Sequence, residues 1–136
     1  MSATGGCACG AVKFEVTGKL RDVVFCHCSK CRRWHGHFGA YTRTRKDGFA
    51  LKEQKGLKWH SINATCRRGF CQECGSVMFF DDDDSPDTLG ITAGVLDDPT
   101  GLKPLAHIYL GSKGDYYGAP NDAPGYDADR PPLKPA

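Results

Sequence analysis

Eight of the 136 residues are cysteine, and seven of these stand in three tight groups: Cys7-Ala8-Cys9, Cys26-His27-Cys28-Ser29-Lys30-Cys31 and Cys71-Gln72-Glu73-Cys74. Sulfurs at C-x-C and C-x-x-C spacing can converge on one metal ion with almost no backbone between them. Zinc takes four thiolate or imidazole ligands in a tetrahedron. Four protein ligands make a closed, structural site, and three leave a position for water or substrate. At such a position a metal can hold a thiol as thiolate or polarise a carbonyl oxygen. The chemistry therefore turns on which cysteines share an ion.

Two of the groups end alike, in Cys9-Gly10 and Cys74-Gly75. Glycine tolerates positive φ and lets the chain turn tightly around the preceding sulfur. The middle group runs instead into Arg32 and Arg33. Sorted by this rule, Cys7, Cys9, Cys71 and Cys74 share a closed site, and Cys26, Cys28 and Cys31 form an open three-thiolate group. Two other sortings stay open: all eight cysteines are structural, or Cys28 and Cys31 join Cys71 and Cys74 in one ribbon-type site.

The elements that must carry these sulfurs read as strands. Val12, Phe14 and Val16 alternate with Lys13 and Glu15, the signature of a half-buried strand. Residues 23–28 are β-branched and aromatic and deliver the middle group at their end. Residues 29–34 predict a single helical turn over the metal. Further strands are expected over 35–45, with a glycine-loosened start, and around 49–51, 57–62, 64–70, 77–80, 88–93 and 106–110. The run Asp81-Asp82-Asp83-Asp84-Ser85-Pro86-Asp87 reads as a solvated turn, and its spacing does not fit a calcium loop. The fold class expected is mainly β, small antiparallel sheets clamped by structural zinc. One zinc-binding β domain over residues 1–126 is expected, with a Pro/Asp-rich tail over 127–136. From Ala119 onward the prolines Pro120, Pro124, Pro131, Pro132 and Pro135 place the chain on the surface or leave it disordered.

Composition excludes some function classes. A net charge of +2 is too small to argue for a nucleic-acid surface. No stretch has the length of a membrane span. The start, Met1 to Gly6, has neither a basic nor an apolar signal region. Metal-spaced cysteines in a chain of that kind point to a reducing compartment, so the cytoplasm is the expected location.

In their order along the chain, Gly6-Cys7-Ala8-Cys9-Gly10, the stretch from Cys26 to Arg32, Arg68-Gly69-Phe70-Cys71-Gln72-Glu73-Cys74-Gly75 and Gly94-Val95-Leu96-Asp97-Asp98-Pro99 resemble the glutathione-dependent formaldehyde-activating enzyme family. That family also contains centromere protein V. The resemblance runs from about Gly5 to about Tyr126. It implies a β-tent-like fold, with Cys7, Cys9, Cys71 and Cys74 on a structural zinc and Cys26, Cys28 and Cys31 on a second, catalytic-type zinc. It also implies a carbon–sulfur lyase-type activity that joins formaldehyde to glutathione as S-hydroxymethylglutathione. The alternative is a zinc-stabilised binding module without catalysis. Tyr116 and Tyr117 stand where many members carry a proline-tryptophan pair, which puts the pocket wall, and so the substrate, in question.

Around the open group, Arg32 and Arg33 are the candidates for clamping a glutathione carboxylate, with Arg43 and Arg45 behind them. His27, between two ligands on an extended segment, points away from them and is a candidate for proton transfer. His35 or His37 could complete a tetrahedron. Trp34, Phe38 and Tyr41 could line a pocket or belong to the core. Cys66 lies outside the motifs. It reads as a small buried residue, and otherwise as a fourth ligand of the second zinc or a redox partner.

Overall fold

The computed structural model describes residues 2–131; Pro132 and Pro135 of the tail lie outside them. In chain order the elements are β1 (Ala3–Gly6), β2 (Lys13–Val16), β3 (Val23–Cys26), α1 (Ser29–His35), β4 (Gly39–Arg45), β5 (Phe49–Glu53), β6 (Leu57–Ser61), β7 (Cys66–Cys71), β8 (Val77–Asp82), β9 (Thr88–Thr92) and β10 (Pro104–Ile108). Single 3-10 turns fall at Lys46–Gly48, Ala93–Val95 and Leu110–Ser112. The chain is mainly β, as its alternation requires. It divides into two compact units, one of Met1–Asp22 with Tyr41–Leu102 and one of Val23–Ala40 with Lys103–Ala136.

The first unit holds a three-stranded antiparallel sheet in the order β1-β2-β5. It also holds an antiparallel run in the order β4-β9-β8-β7-β6. Its core gathers Val12, Phe14 and Val16 from the β2 region with Met78, Phe79, Leu89, Ile91 and Leu96. The rings of Phe14 and Phe79 meet edge to face at 5.5 Å, and Phe49 lies against both. Full burial of each such ring contributes about 2–3 kcal/mol.

Strand β1 escapes the sequence reading, because Ala3-Thr4-Gly5-Gly6 has no β-forming side chains. Its smallness is what the packing needs. A Cβ on Gly5 would lie 2.4 Å from Cζ of Phe14 and 2.5 Å from the Val95 carbonyl oxygen. The bare backbone pairs with β2 in full register, Ala3 opposite Val16 through Gly6 opposite Lys13.

The acidic run is not wholly a solvated turn. Asp81 and Asp82 continue β8, and the Asp81 carboxylate is buried between Lys46 Nζ at 2.8 Å and the Arg67 guanidinium at 3.0 Å. Register explains the pairing, since Asp81 stands directly opposite Arg67 across the β7–β8 ladder.

The small antiparallel sheets expected are accompanied by one parallel pair in the second unit. Its strands β3 and β10 run parallel, with Ile108 opposite Cys26, and β3 leads into α1. The described residues after Ala119 are largely exposed, but they are tied down. The Pro124 carbonyl accepts from His107 N at 2.8 Å, and Tyr126 N donates to the His107 carbonyl at 2.9 Å. Tyr109 N donates to the Ala128 carbonyl at 3.0 Å. Prolines cannot donate to a ladder, but their carbonyls and the residues between them can pair.

Burial alone would raise the pKa of Asp81, but its bonds to Lys46 and Arg67 outweigh this and hold it below the ordinary 3.8. A depressed carboxylate contributes stability above the unfolded pKa and loses it as pH falls through the folded one. Asp81→Asn should therefore cost about 2 kcal/mol at neutral pH, the worth of hydrogen bonds to a charged group. The cost should be unchanged at about pH 5 and should fade only below the unfolded carboxylate value. Urea denaturation of the two proteins across that range checks it.

Candidate functional site

The first unit brings Cys7, Cys9, Cys71 and Cys74 together, all four sulfurs within 4.8 Å of one another. Two short loops do this. After β1, Cys7 N donates to the Val12 carbonyl at 3.0 Å, and Val12 N donates back to Cys7 Sγ at 3.2 Å. After β7, Cys71 N donates to the Ser76 carbonyl at 2.9 Å, and Gly75 N to the Cys71 carbonyl at 2.7 Å. Gly10 and Gly75 have φ of 85° and 81°, the left-handed turn expected after the last sulfur of each pair. Ser76 Oγ accepts from Ala8 N at 3.0 Å and lies 3.2 Å from Cys74 Sγ, joining the two loops.

The sulfur spacing fits a tetrahedral ion. Zinc–sulfur bonds of about 2.3 Å imply sulfur–sulfur edges of about 3.8 Å. Cys7 and Cys9 are 3.7 Å apart, and Cys9 and Cys71 are 3.8 Å apart. These are far too long for a disulfide. Without a cation the thiols divide the protons unequally. Cys74, bonded first by the Ser76 hydroxyl, is held down to about 5. In Cys9 the Ala11 amide, which lowers its pKa, is outweighed by desolvation and by Cys7, Cys74 and Cys71, and its thiol is pushed up to about 12.

The second unit brings Cys26, Cys28 and Cys31 within the same 4.8 Å of one another. Cys26 ends β3, and Cys28 is the N-cap of α1, its sulfur accepting from Cys31 N at 3.4 Å. The helix runs through Ser29-Lys30-Cys31-Arg32-Arg33-Trp34-His35, free of glycine, proline and β-branched residues. It stops at Gly36, which is left-handed with φ of 78°. Arg32, Arg33 and His35 in its last turn suit the negative end of the helix dipole. The Cys28 thiol is lowered by hydrogen bonds with Cys26 and then Cys31, and the Cys26 thiol is raised by those with Cys28 and then Cys31. Three sulfurs this close cannot all ionise by themselves. A divalent cation removes that conflict, so both donor sets suit a thiophilic ion such as zinc.

Neither the four-cysteine nor the three-cysteine group includes an imidazole among the described residues. His37 Nδ1 lies 2.8 Å from Tyr116 Oη, and His35 ends the helix. His27 is fully buried, with Nδ1 2.6 Å from Tyr117 Oη and Nε2 2.9 Å from His107 Nδ1. Burial first, then His107, His37 and Lys113, lower its pKa to about 4. Arg32 Nε donates to the Ser112 carbonyl at 3.1 Å, and Arg33 is exposed.

Arg43 and Arg45 belong to the first unit, where they bond Thr88 Oγ1 at 2.8 Å and the Asp47 carboxylate at 3.1 Å. Phe38 packs on Phe25, His27 and Tyr117, and Tyr41 lies near Phe80 in the first unit. Trp34 is half-buried on α1. Cys66 joins neither group. It is half-buried at the start of β7, 3.6 Å from Thr65 Oγ1.

Sequence reasoning missed His107, Tyr117 and Asp122. His107 sits in a predicted strand with no motif to mark it. The other two lie in a stretch read as pocket wall and tail.

Residues 2–112 match the family described as glutathione-dependent formaldehyde-activating enzyme. The chain belongs to that family. A solved Rhodobacter sphaeroides protein, a structural genomics target, shares 25% identity with a TM-score of 0.61 over 74% of this chain and 97% of its own. As a member of the formaldehyde-activating family, the chain carries its cysteine groups on the stretches that the family match spans. No helix of the described residues is long and apolar enough to cross a membrane.

The two groups should respond differently to substitution. Cys71→Ala would remove a fully buried sulfur of the four-cysteine group, and with it the folding free energy that a structural ion there would contribute. It should abolish the cooperative thermal transition. Cys28→Ala removes a helix cap worth about 1 kcal/mol, so Tm should fall by only about 3–4 °C. Calorimetry of the two variants decides this, and equal damage from both would contradict it.

Proposed function

We propose that the chain is a zinc-dependent enzyme of the carbon–sulfur lyase type, acting on a thiol–aldehyde adduct such as S-hydroxymethylglutathione. The observation that carries this reading is the group of Cys26, Cys28 and Cys31, three sulfur donors in reach of one another with no fourth cysteine or imidazole in the group. Family membership supports glutathione and formaldehyde as the substrate pair. Cys7, Cys9, Cys71 and Cys74 take the structural zinc, and the three-cysteine group takes the second.

A bound ion at the second group would lower the pKa of an incoming thiol or polarise an aldehyde oxygen. The chain's own residues supply position. Cys28 and Cys31 are fixed by the first turn of α1. Arg32 and Arg33 follow the last sulfur and are the carboxylate clamp for glutathione, with Arg32 oriented by its bond to the Ser112 carbonyl. In the condensation a C–S bond forms between the thiol sulfur and the aldehyde carbon. The carbonyl π bond breaks, and its oxygen takes up the proton released by the thiol. Cleavage is the reverse. Thiolate ligand clusters persist in a reducing compartment, which supports a cytoplasmic setting.

The zinc-loaded protein should contain two metal ions per chain, and Cys28→Ser should retain one. Exchange NMR should show the wild type speeding interconversion of glutathione, formaldehyde and their adduct beyond the spontaneous rate, with the variant at that rate. One inert zinc, and no perturbation of the protein spectrum by glutathione, would leave the non-catalytic binding module as the reading.

A further inference from the structure

Four side chains of the second unit form a hydrogen-bonded chain outside the cysteine donor set. Tyr117 Oη is 2.6 Å from His27 Nδ1, His27 Nε2 is 2.9 Å from His107 Nδ1, and His107 Nε2 is 2.6 Å from Asp122 Oδ1. His27 and His107 are 0% and 1% exposed, whereas the Asp122 side chain is 52% exposed. The family match ends at residue 112, so Tyr117 and Asp122, the two ends of the chain, lie beyond it.

The direction of every bond follows from the carboxylate. An ionised carboxylate accepts and cannot donate, so His107 presents N–H at Nε2. A neutral imidazole carries one such proton, which leaves His107 Nδ1 as a bare acceptor. His27 must then donate from Nε2, and its Nδ1 accepts from the Tyr117 hydroxyl. With both rings neutral, one tautomer of each satisfies all three bonds.

The faces of the rings are held separately. Phe25 stacks on His107 with centroids 4.6 Å apart, and Phe38 lies 4.5 Å from His27. The in-plane hydrogen bonds therefore fix the remaining freedom of the rings. His27 sits between Cys26 and Cys28, and its backbone N donates to the Ile108 carbonyl at 3.0 Å. The strap that carries two of the three sulfurs inherits its position from this ring.

We propose that Asp122 and Tyr117 are positioning residues for the three-cysteine group. Asp122 sets the tautomer of His107 and, through it, that of His27. Tyr117 closes the chain on the other nitrogen, so that the ring between the two ligands is held from both sides. The purpose of this arrangement rests on the proposed function, but the tautomers do not. Groups that fix the segment carrying a metal's ligands tune the site by orientation.

Asp122→Asn is the informative variant. It keeps the shape, but an amide can donate as well as accept, so it no longer enforces one tautomer. Half exposure of Asp122 makes the substitution compatible with folding, which the thermal transition verifies. In nitrogen NMR of the zinc-loaded protein at about pH 8, where an ordinary imidazole is neutral, His27 and His107 should each be protonated at Nε2 alone. Asp122→Asn should give mixed tautomers at both rings.

In cadmium NMR the protein should give two resonances. Only that of the three-cysteine group should move in Asp122→Asn and in Tyr117→Phe, with the four-cysteine resonance as internal control. Metal affinity of the three-cysteine group should fall about 10-fold or more. A wild-type ring protonated at Nδ1 would overturn the proposal, as would an Asn variant with unchanged tautomers and an unmoved resonance. A single cadmium resonance in the wild type would instead remove the second metal site on which the proposed function depends. The nitrogen spectra would still decide the tautomers.

Discussion

Crowded sulfur is the constraint on which the rest of the structure depends. Thiols held within 4.8 Å of one another in both groups compete for protons, and no assignment leaves all of them thiolate without a cation. The split is visible within each group, with Cys74 held low beside a raised Cys9, and Cys28 lowered beside a raised Cys26. A divalent ion would convert that repulsion into cohesion. In the first unit it would link chain positions 62 residues apart, Cys9 to Cys71. It would join the loop after β1 to the loop after β7, in a unit whose core is a few rings and aliphatic side chains.

The same donor atom has different neighbours in the two units. Around the four-cysteine group, backbone amides and Ser76 do the orienting, through loops so tight that Gly10 and Gly75 adopt positive φ and Gly56 approaches bare. A Cβ on Gly56 would stand 2.7 Å from Cys71 Sγ. Around the three-cysteine group the orienting elements are a strand end, a helix cap and a buried polar chain. Buried polar groups are costly unless every partner is supplied. Here they are supplied from Tyr117 through Asp122, so a thin apolar core is combined with a directional network.

Much of this was legible in the residues. Alternation at Val12, Phe14 and Val16 placed a core strand, and the shared Cys-Gly endings sorted four sulfurs from three. The reading failed where local pattern and tertiary context diverge. Ala3-Thr4-Gly5-Gly6 has no strand propensity, and it becomes β1 because Phe14 needs an empty face beside it. Asp81 looked solvated within an acidic run, but cross-strand register sets it opposite Arg67. The parallel pairing of β3 with β10 joins segments some eighty residues apart, and no local signal announces it. Asp122 stands among prolines and glycines, and only the fold shows that His107 lies within reach.

Those missed residues bear on why the second group has three donors. Three imidazoles lie close to it in sequence, His27 between its ligands and His35 and His37 four and six residues after Cys31. None joins the cysteine group among the described residues. His27 is committed to Tyr117 and His107, and His37 to Tyr116 at 2.8 Å. Imidazole nitrogens held in hydrogen bonds of this length are not free to turn toward sulfur without breaking them. For His27 that would leave buried polar atoms unpaired, at about 1–3 kcal/mol for each. The tyrosines and the acid of the C-terminal segment thus hold His27 and His37 in hydrogen bonds outside the cluster of three sulfurs.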